Sequence, residues 1–375
     1  MQAIARFHEV RKNRHQYAQE WKQRTGGKIM GYFCSYTPEE LVYAAGILPV
    51  RILGGHEPQD VTERYSFSHF CPLSRDCLAQ GLIGRYQYLD GITMSHGCMH
   101  MRQSFYSWGR NVPVSYSYYL YMPQNVQSQR AKDCFTEDIA EFKRSLEEWT
   151  GKPIPQKALD KAIEVYNLNR RLMREIYDLR RSDAPAVSGS EATDMVLSSM
   201  FMDKAEHNQL LETVLKELPR RDQDSERGAR LMVIGSEVDP EFINLLESSG
   251  AQVVTDDTCT GSRYFWNDVI PAGDSLSAIA ARYLDRLPCP LRDVTERRRI
   301  RRILDLVKDY NVDGVIIALQ KFCEPHGFDN PAIERALKEN GIPSLFLELD
   351  ITLAPGQLRT RIEAFLEMIG LQLLI

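Results

Sequence analysis

The eight cysteines of this chain include no CxxC pair; the closest two, Cys71 and Cys77, are six residues apart. That spacing argues against a zinc finger, whose ligands come in close pairs. Neither a GxxxxGK(S/T) loop nor a GxGxxG fingerprint occurs, so direct binding of ATP or NAD has no support. No apolar run approaches the ~20 residues that cross a bilayer, and the opening stretch MQAIARFHEVRKNRHQYAQEWKQRTGGK is charged, with no apolar signal core. Positive charge is not in excess either. Lys and Arg number 46 against 51 Asp and Glu, a net charge of −5, which speaks against nucleic acid as a partner. The expectation is a cytoplasmic protein that engages neither nucleic acid nor membrane. In that reducing compartment cysteines serve as core filler, nucleophiles or metal ligands rather than as a disulfide framework.

A length of 375 residues exceeds one ordinary core and allows two domains. The pattern predicts a helix over 4–24 and a buried strand KIMGYFCSY. A helix over 38–46 follows, opened by Thr37 as N-cap with Glu40 three residues on, and then a strand ILPVRIL; together these make a βαβ unit. Helices are expected at 71–83 and 101–110, strands at 88–98 and 112–123. Apolar spacing of i, i+3, i+4 marks long helices over 137–151 and 157–182. After the polar stretch LPRRDQDSERGA, read as a linker, the strands RLMVIGSEV, AQVVTDD, VDGVIIALQ and PSLFLELD alternate with helices, one of them over 330–341. The predicted fold is α/β: two doubly wound parallel-sheet domains joined by a helical subdomain, with boundaries 1–134, 135–225 and 226–375.

Ligands of open α/β sheets sit beyond the carboxyl ends of the strands. Cys98 follows YLDGITMSHG, Cys259 follows AQVVTDDT, Cys323 follows VDGVIIALQKF, Cys34 ends the first strand and Cys71 stands at a helix start. A thiolate is a soft ligand that suits iron–sulfur clusters and zinc, and wide spacing is compatible with a cluster assembled between two domains. Against this, free cysteine is among the most buried residue types. Cys34 and Cys134 are read as structural, and Cys77 fits either role. Asp256 and Asp257 are read as loop caps in preference to metal ligands. Gly261, Ser262 and Arg263 offer donors for a phosphate. His96, His100 and His326 lie near the cysteines, where a histidine either moves protons or simply completes hydrogen bonds. The arginine run 297–302 reads as a solvated helix face or a contact with another subunit.

Six segments occur in order: YTPEELVYAAGILPVRI, FCPLSRDCL, LDGITMSHGCMHMRQ, VVTDDTCTGSRYF, VDGVIIALQKFCEP and LELDITLAPGQLRTRIEAFLEMI. Together they resemble the 2-hydroxyacyl-CoA dehydratase and benzoyl-CoA reductase family over nearly the whole chain. The DDTCTGSRYF and KFCEP forms are most like the smaller cluster-bearing (C) subunit of the ATP-dependent reductases. The resemblance implies two related α/β domains and a [4Fe–4S] cluster held by Cys71, Cys98 and Cys323. Cys259 is a candidate fourth ligand, and Cys289 is a weaker match. It also implies pairing with a related cluster-bearing subunit, a separate ATP-hydrolysing activator with its own [4Fe–4S] cluster, and an acyl-CoA substrate whose thioester Ser35 is a candidate to contact. No catalytic residue is assigned. The implied activity is low-potential reduction of benzoyl-CoA or an analogue to a cyclic dienoyl-CoA. The alternatives are a 2-hydroxyacyl-CoA dehydratase subunit and a non-catalytic electron relay. A third branch of the family holds a double-cubane cluster with more cysteines; its additional cysteines near the second ligand are missing here.

Overall fold

Two four-stranded parallel sheets carry the fold in the computed structural model, which describes residues 2–56, 60–220, 228–286, 289–293, 296–350 and 354–370. The first sheet holds β1 (Ile29–Tyr32), β2 (Leu48–Arg51), β3 (Gly91–Ser95) and β4 (Tyr116–Leu120), in the spatial order β2-β1-β3-β4. The second holds β5 (Ala229–Gly235), β6 (Ala251–Asp257), β7 (Gly314–Gln320) and β8 (Ser344–Leu349), in the order β6-β5-β7-β8. Both sheets therefore wind identically. The second strand is laid on one side of the first and the third on the other, which opens a crevice beyond β1 and β3, and another beyond β5 and β7.

The unbroken apolar runs of these strands follow from burial on two faces. Successive residues of β1, Ile29 and Met30, enter different cores, and along β5 Leu231 and Val233 pack on one face while Met232 and Ile234 pack on the other. Between β4 and β5 run the helices Gln129–Thr150, Gln156–Asp178, Gly189–Ser199 and Lys204–Glu217. The chain beyond β6 then returns to the first sheet: Val269, Ile279 and Tyr283 join the core that contains Met30 and Leu120. The polar stretch read as a linker lies largely outside the described residues. Among the described residues no helix is long and apolar enough to cross a membrane.

Local expectations failed where tertiary contacts overrode local signals. The first helix is two, Gln2–Lys12 and Arg14–Thr25, hinged at Asn13 (φ −104°, ψ 30°). The hinge lets Phe7 and Val10 on one half and Ala18 and Trp21 on the other all reach the core, and Asn is a residue that readily leaves helical geometry. No capping box forms at Thr37. Pro38 occupies the cap position, Thr37 Oγ1 is buried without a partner, and Glu40 instead pairs with Arg170 and accepts from Tyr283 Oη at 2.9 Å. The helix expected at 330–341 begins at Glu324 and carries Pro331 in its interior.

The helices Pro72–Leu82 and Met99–Asn111 pack side by side and hold the chain segments of Cys71 and Cys98 together. Their contact depends on Gly81: a Cβ there would sit 2.5 Å from the Trp108 ring, itself fully buried against Phe33 and Tyr86. Gly81→Val is therefore expected to destabilise the chain by about 1–3 kcal/mol through overpacking. Urea unfolding should show a lower midpoint with an unchanged m-value.

Candidate functional site

The carboxyl ends of the two sheets face one cavity of about 100 Å³, and six of the eight cysteines line it: Cys34, Cys71, Cys98, Cys259, Cys289 and Cys323. Topology accounts for most of these positions. Cys34 lies just past β1, Cys98 past β3, Cys259 past β6 and Cys323 past β7. Cys34, read as structural, packs against the core that contains Met30 and also lines the cavity; its strand-end position is the same signal that singles out Cys98. Cys77 is different: it is fully buried in the core, with its Sγ 3.6 Å from the Ile52 carbonyl oxygen. Cys134 is exposed on the helix Gln129–Thr150, away from the cavity.

Three of the cavity cysteines share a further property. Cys71, Cys98 and Cys323 are the N-cap residues of the helices Pro72–Leu82, Met99–Asn111 and Glu324–Glu339. A helix N-terminus presents free N–H groups and positive potential, so it favours a thiolate. Burial works the other way. It pushes the Cys71 thiol up to about 11 and the Cys98 thiol up to about 12, and it raises Cys323 strongly as well. First-turn backbone amides oppose that rise, Ser74 and Leu73 for Cys71, Met101 for Cys98 and His326 for Cys323, although none closes to a full cap hydrogen bond. Burial thus favours the neutral form of these three thiols, while the helix ends around them favour an anion.

Two arginines in the wall point the same way, and one acid opposes them. Arg51 is buried against the cavity, and its Nε and Nη1 have no hydrogen-bond partner. Arg292 also lines it, with Nη2 donating to the His96 carbonyl. Glu237, just past β5, is the buried acid of the wall, and its Oε2 is unpartnered. Arg51 and Glu237 escaped the sequence reading because no motif marks them.

The loop bearing Cys259 is built by its neighbours. Asp256 Oδ1 accepts from Thr258 N (3.1 Å) and Ser262 N (2.8 Å), and Tyr177 Oη donates to its Oδ2 (2.6 Å). Gly261 is required there, since any Cβ would fall on that carboxylate. Asp257 receives Arg299 Nε at 2.6 Å. The carboxylates are therefore loop architecture. Of the donors proposed for a phosphate at Gly261 to Arg263, Ser262 N is given to Asp256 Oδ1, and Arg263 is buried with Nη2 donating to the Gly235 carbonyl. Arg299, expected in a solvated run, is buried between Asp257 and Asp329.

The histidines separate by role. His100 is buried, stacks on Phe70 and accepts the Cys71 N–H at Nδ1 (3.1 Å), which fixes the turn that carries the sulfur. His326 lines the cavity, with Nδ1 3.3 Å from Cys323 Sγ. His96 faces Gln124 in a more exposed position. Ser35 is buried behind the wall, its carbonyl accepting from Arg286 Nη1 and its Oγ 3.4 Å from Arg286 Nη2. Cys323 also borders an open groove of about 490 Å³ lined by His69, Phe322 and Phe328. Phe322, the residue before Cys323, holds a positive φ of 57°, a strained backbone for a bulky side chain.

Among the described residues no three His, Cys, Asp or Glu side chains converge closely enough for a single metal ion. A cluster poses a different demand, because each iron takes its own thiolate. Thiols spread around a cavity wall, with unpartnered guanidinium nitrogens beside them, fit that demand better than they fit a mononuclear site.

Burial pushes the Glu237 carboxyl up to about 8 in spite of Arg51. An acid raised in the fold is favoured neutral there, so folding loses stability as pH climbs from the ordinary carboxylate range toward 8 and is flat above it. In the metal-free chain, Glu237→Gln is expected to stabilise by up to about 5 kcal/mol above pH 8. The gain should vanish below about pH 4, as read by urea midpoints across that range.

The profile of the family described as 2-hydroxyglutaryl-CoA dehydratase, D-component, matches residues 34–369. The C subunit of benzoyl-CoA reductase from Thauera aromatica is 28% identical over 334 residues, 87% of this chain and 86% of the relative. The (R)-phenyllactyl-CoA dehydratase beta subunit of Clostridium sporogenes is 27% identical over 369 residues, 96% and 97% of the two chains. The beta subunit of (R)-2-hydroxyglutaryl-CoA dehydratase from Acidaminococcus fermentans is 29% identical, covering 91% and 92%. With its paired parallel sheets and its matched span of residues 34–369, the chain belongs to the 2-hydroxyglutaryl-CoA dehydratase D-component family, which includes 2-hydroxyacyl-CoA dehydratase and benzoyl-CoA reductase subunits.

Proposed function

We propose that this chain is the iron–sulfur subunit of a benzoyl-CoA reductase-type enzyme, with its cluster in the six-cysteine cavity. The observation that carries the reading is the gathering of thiols from both sheets, three of them at helix N-termini, around one cavity. Cys71, Cys98 and Cys323 are the proposed ligands, and Cys259 is the candidate fourth. When bound, the cluster would supply single electrons at low potential for reduction of an acyl-CoA thioester.

The chain's own residues have defined tasks in this reading. The helix N-termini and Arg51 compensate negative charge that burial alone would expel. Phe33, Leu73 and Met94 line the cavity with apolar surface and keep water from a strongly reducing site. Ser35 is retained as the candidate thioester contact; its Oγ accepts from Arg286 Nη2, which leaves the hydroxyl hydrogen to donate. The chain has no P-loop, consistent with ATP being hydrolysed by a separate activator, and the relatives are named as subunits, consistent with a second cluster-bearing partner.

Two further readings have specific support. Dehydratase beta subunits match as well as the reductase relative does, so a 2-hydroxyacyl-CoA dehydratase role is the alternative, as is an electron relay to chemistry on the partner. For the cofactor, six cavity thiols outnumber the four thiolates that hold one cubane, but the double-cubane branch's additional cysteines near the second ligand are missing, so a single cubane is the assignment and a double cubane the alternative.

Anaerobic purification with the partner subunit, followed by iron and sulfide analysis and EPR, tests the proposal. About four irons per chain are expected for a single cubane and about eight for a double one; a chain without iron ends the cluster reading. Cys98→Ser should lose iron, whereas Cys134→Ser should retain all of it. Stoichiometric electron consumption per turnover identifies a reductase, and a priming requirement alone identifies a dehydratase.

A further inference from the structure

Two cavity sulfurs on neighbouring loops are bridged from behind. His326 Nδ1 lies 3.3 Å from Cys323 Sγ, and its Nε2 lies 3.3 Å from Arg263 Nη2. The same Nη2 is 3.5 Å from Cys259 Sγ and donates to the Gly235 carbonyl. Arg263 is held in turn, with Asp257 Oδ1 3.7 Å from its Nε and Arg286 Nη2 donating to its carbonyl at 2.6 Å. Both Arg263 and His326 are buried.

A guanidinium has hydrogens and no acceptor. An imidazole nitrogen facing it must therefore accept, which places the ring proton on the other nitrogen. Here that is Nδ1, aimed at Cys323 Sγ. The Gly235 carbonyl also lies within reach of the imidazole. While Cys323 is a protonated thiol, the ring can keep its proton on Nε2 for Gly235 and accept the S–H at Nδ1. A metal-bound sulfur has no proton to give, so that arrangement would set lone pair against lone pair. The Nδ1–H tautomer then follows, with Arg263 satisfying both Nε2 and Gly235.

Resting on the cluster reading above, we propose that His326 is a positioning residue whose Nδ1–H, oriented by Arg263, donates to the metal-bound Cys323 sulfur and raises the reduction potential of the group in the cavity. A hydrogen bond to a ligand sulfur stabilises the more negative, reduced state more than the oxidised one. Arg263 Nη2, with both hydrogens given to Nε2 and Gly235, acts on Cys259 Sγ at 3.5 Å through its charge alone. The device lowers the driving force needed to load the site, and it acts on this chain alone.

Two substitutions of equal polarity separate the idea from a merely structural role. The amide nitrogen of His326→Asn falls near the place of Nδ1 and can serve the sulfur. That of His326→Gln falls near Nε2 and cannot. Each variant is purified anaerobically as the full chain with its partner subunit, its iron is counted, and its midpoint is read by EPR-monitored redox titration. The Asn variant should titrate like the wild type. The Gln variant should keep its iron and reduce about tenfold less favourably, a midpoint more negative by about 59 mV for one electron. Equal midpoints for the two variants, or a Gln variant at the wild-type value, would overturn the assignment while leaving the cluster in place. Wild type without iron would remove the cluster reading itself, a distinguishable result.

Discussion

Negative charge in an enclosed space needs positive potential close by, and the architecture of this chain answers that need at one point. Three helices begin at cysteines, and their N-termini converge on the same cavity. The arrangement is a consequence of parallel winding. Each βα connection leaves a strand at its carboxyl end and enters a helix at its amino end, so cysteines placed in those connections meet helix N-termini without any dedicated element. Facing the carboxyl edges of two such sheets toward each other doubles the effect.

The buried arginines carry the second half of the balance. Arg51 and Arg292 line the cavity, Arg263 lies behind Cys259 and His326, and Arg286 and Arg299 tie the loops that hold them. Buried guanidinium groups are costly unless paired or hydrogen-bonded. Most here engage backbone carbonyls and aspartates. Arg51, whose Nε and Nη1 have no hydrogen-bond partner, lines the cavity itself and has Glu237 as its charge neighbour.

Much of the fold was legible because parallel strands buried on both faces read as continuous apolar runs, as Val315 to Leu319 and Leu231 to Ile234 do. Local signals at chain turns were less reliable. Thr37 and Glu40 have the spacing of a capping box, yet Glu40 gains more from Arg170 and Tyr283 in the interior than from a backbone amide. Asn13 interrupts a regular helical pattern, and residues on both resulting helices, Phe7 and Val10 before it and Ala18 and Trp21 after it, lie in the same core. The helix expected over 330–341 starts earlier, at Glu324 directly after Cys323, so Pro331 is an interior residue.

The sequence by itself determined the strand–helix alternation, the family, and the placement of Cys34, Cys98, Cys259 and Cys323 after strands, since these depend on local pattern and on order along the chain. Tertiary structure alone decided that six cysteines share one cavity while Cys77 fills a core and Cys134 faces solvent. It alone placed Arg51 and Glu237 in the wall and set Arg263 behind His326. The physical reason is separation: the cavity's cysteines alone come from positions 289 residues apart, Cys34 and Cys323. Which side chains meet across such distances is settled by how two sheets pack edge toward edge, a property no single stretch of sequence contains.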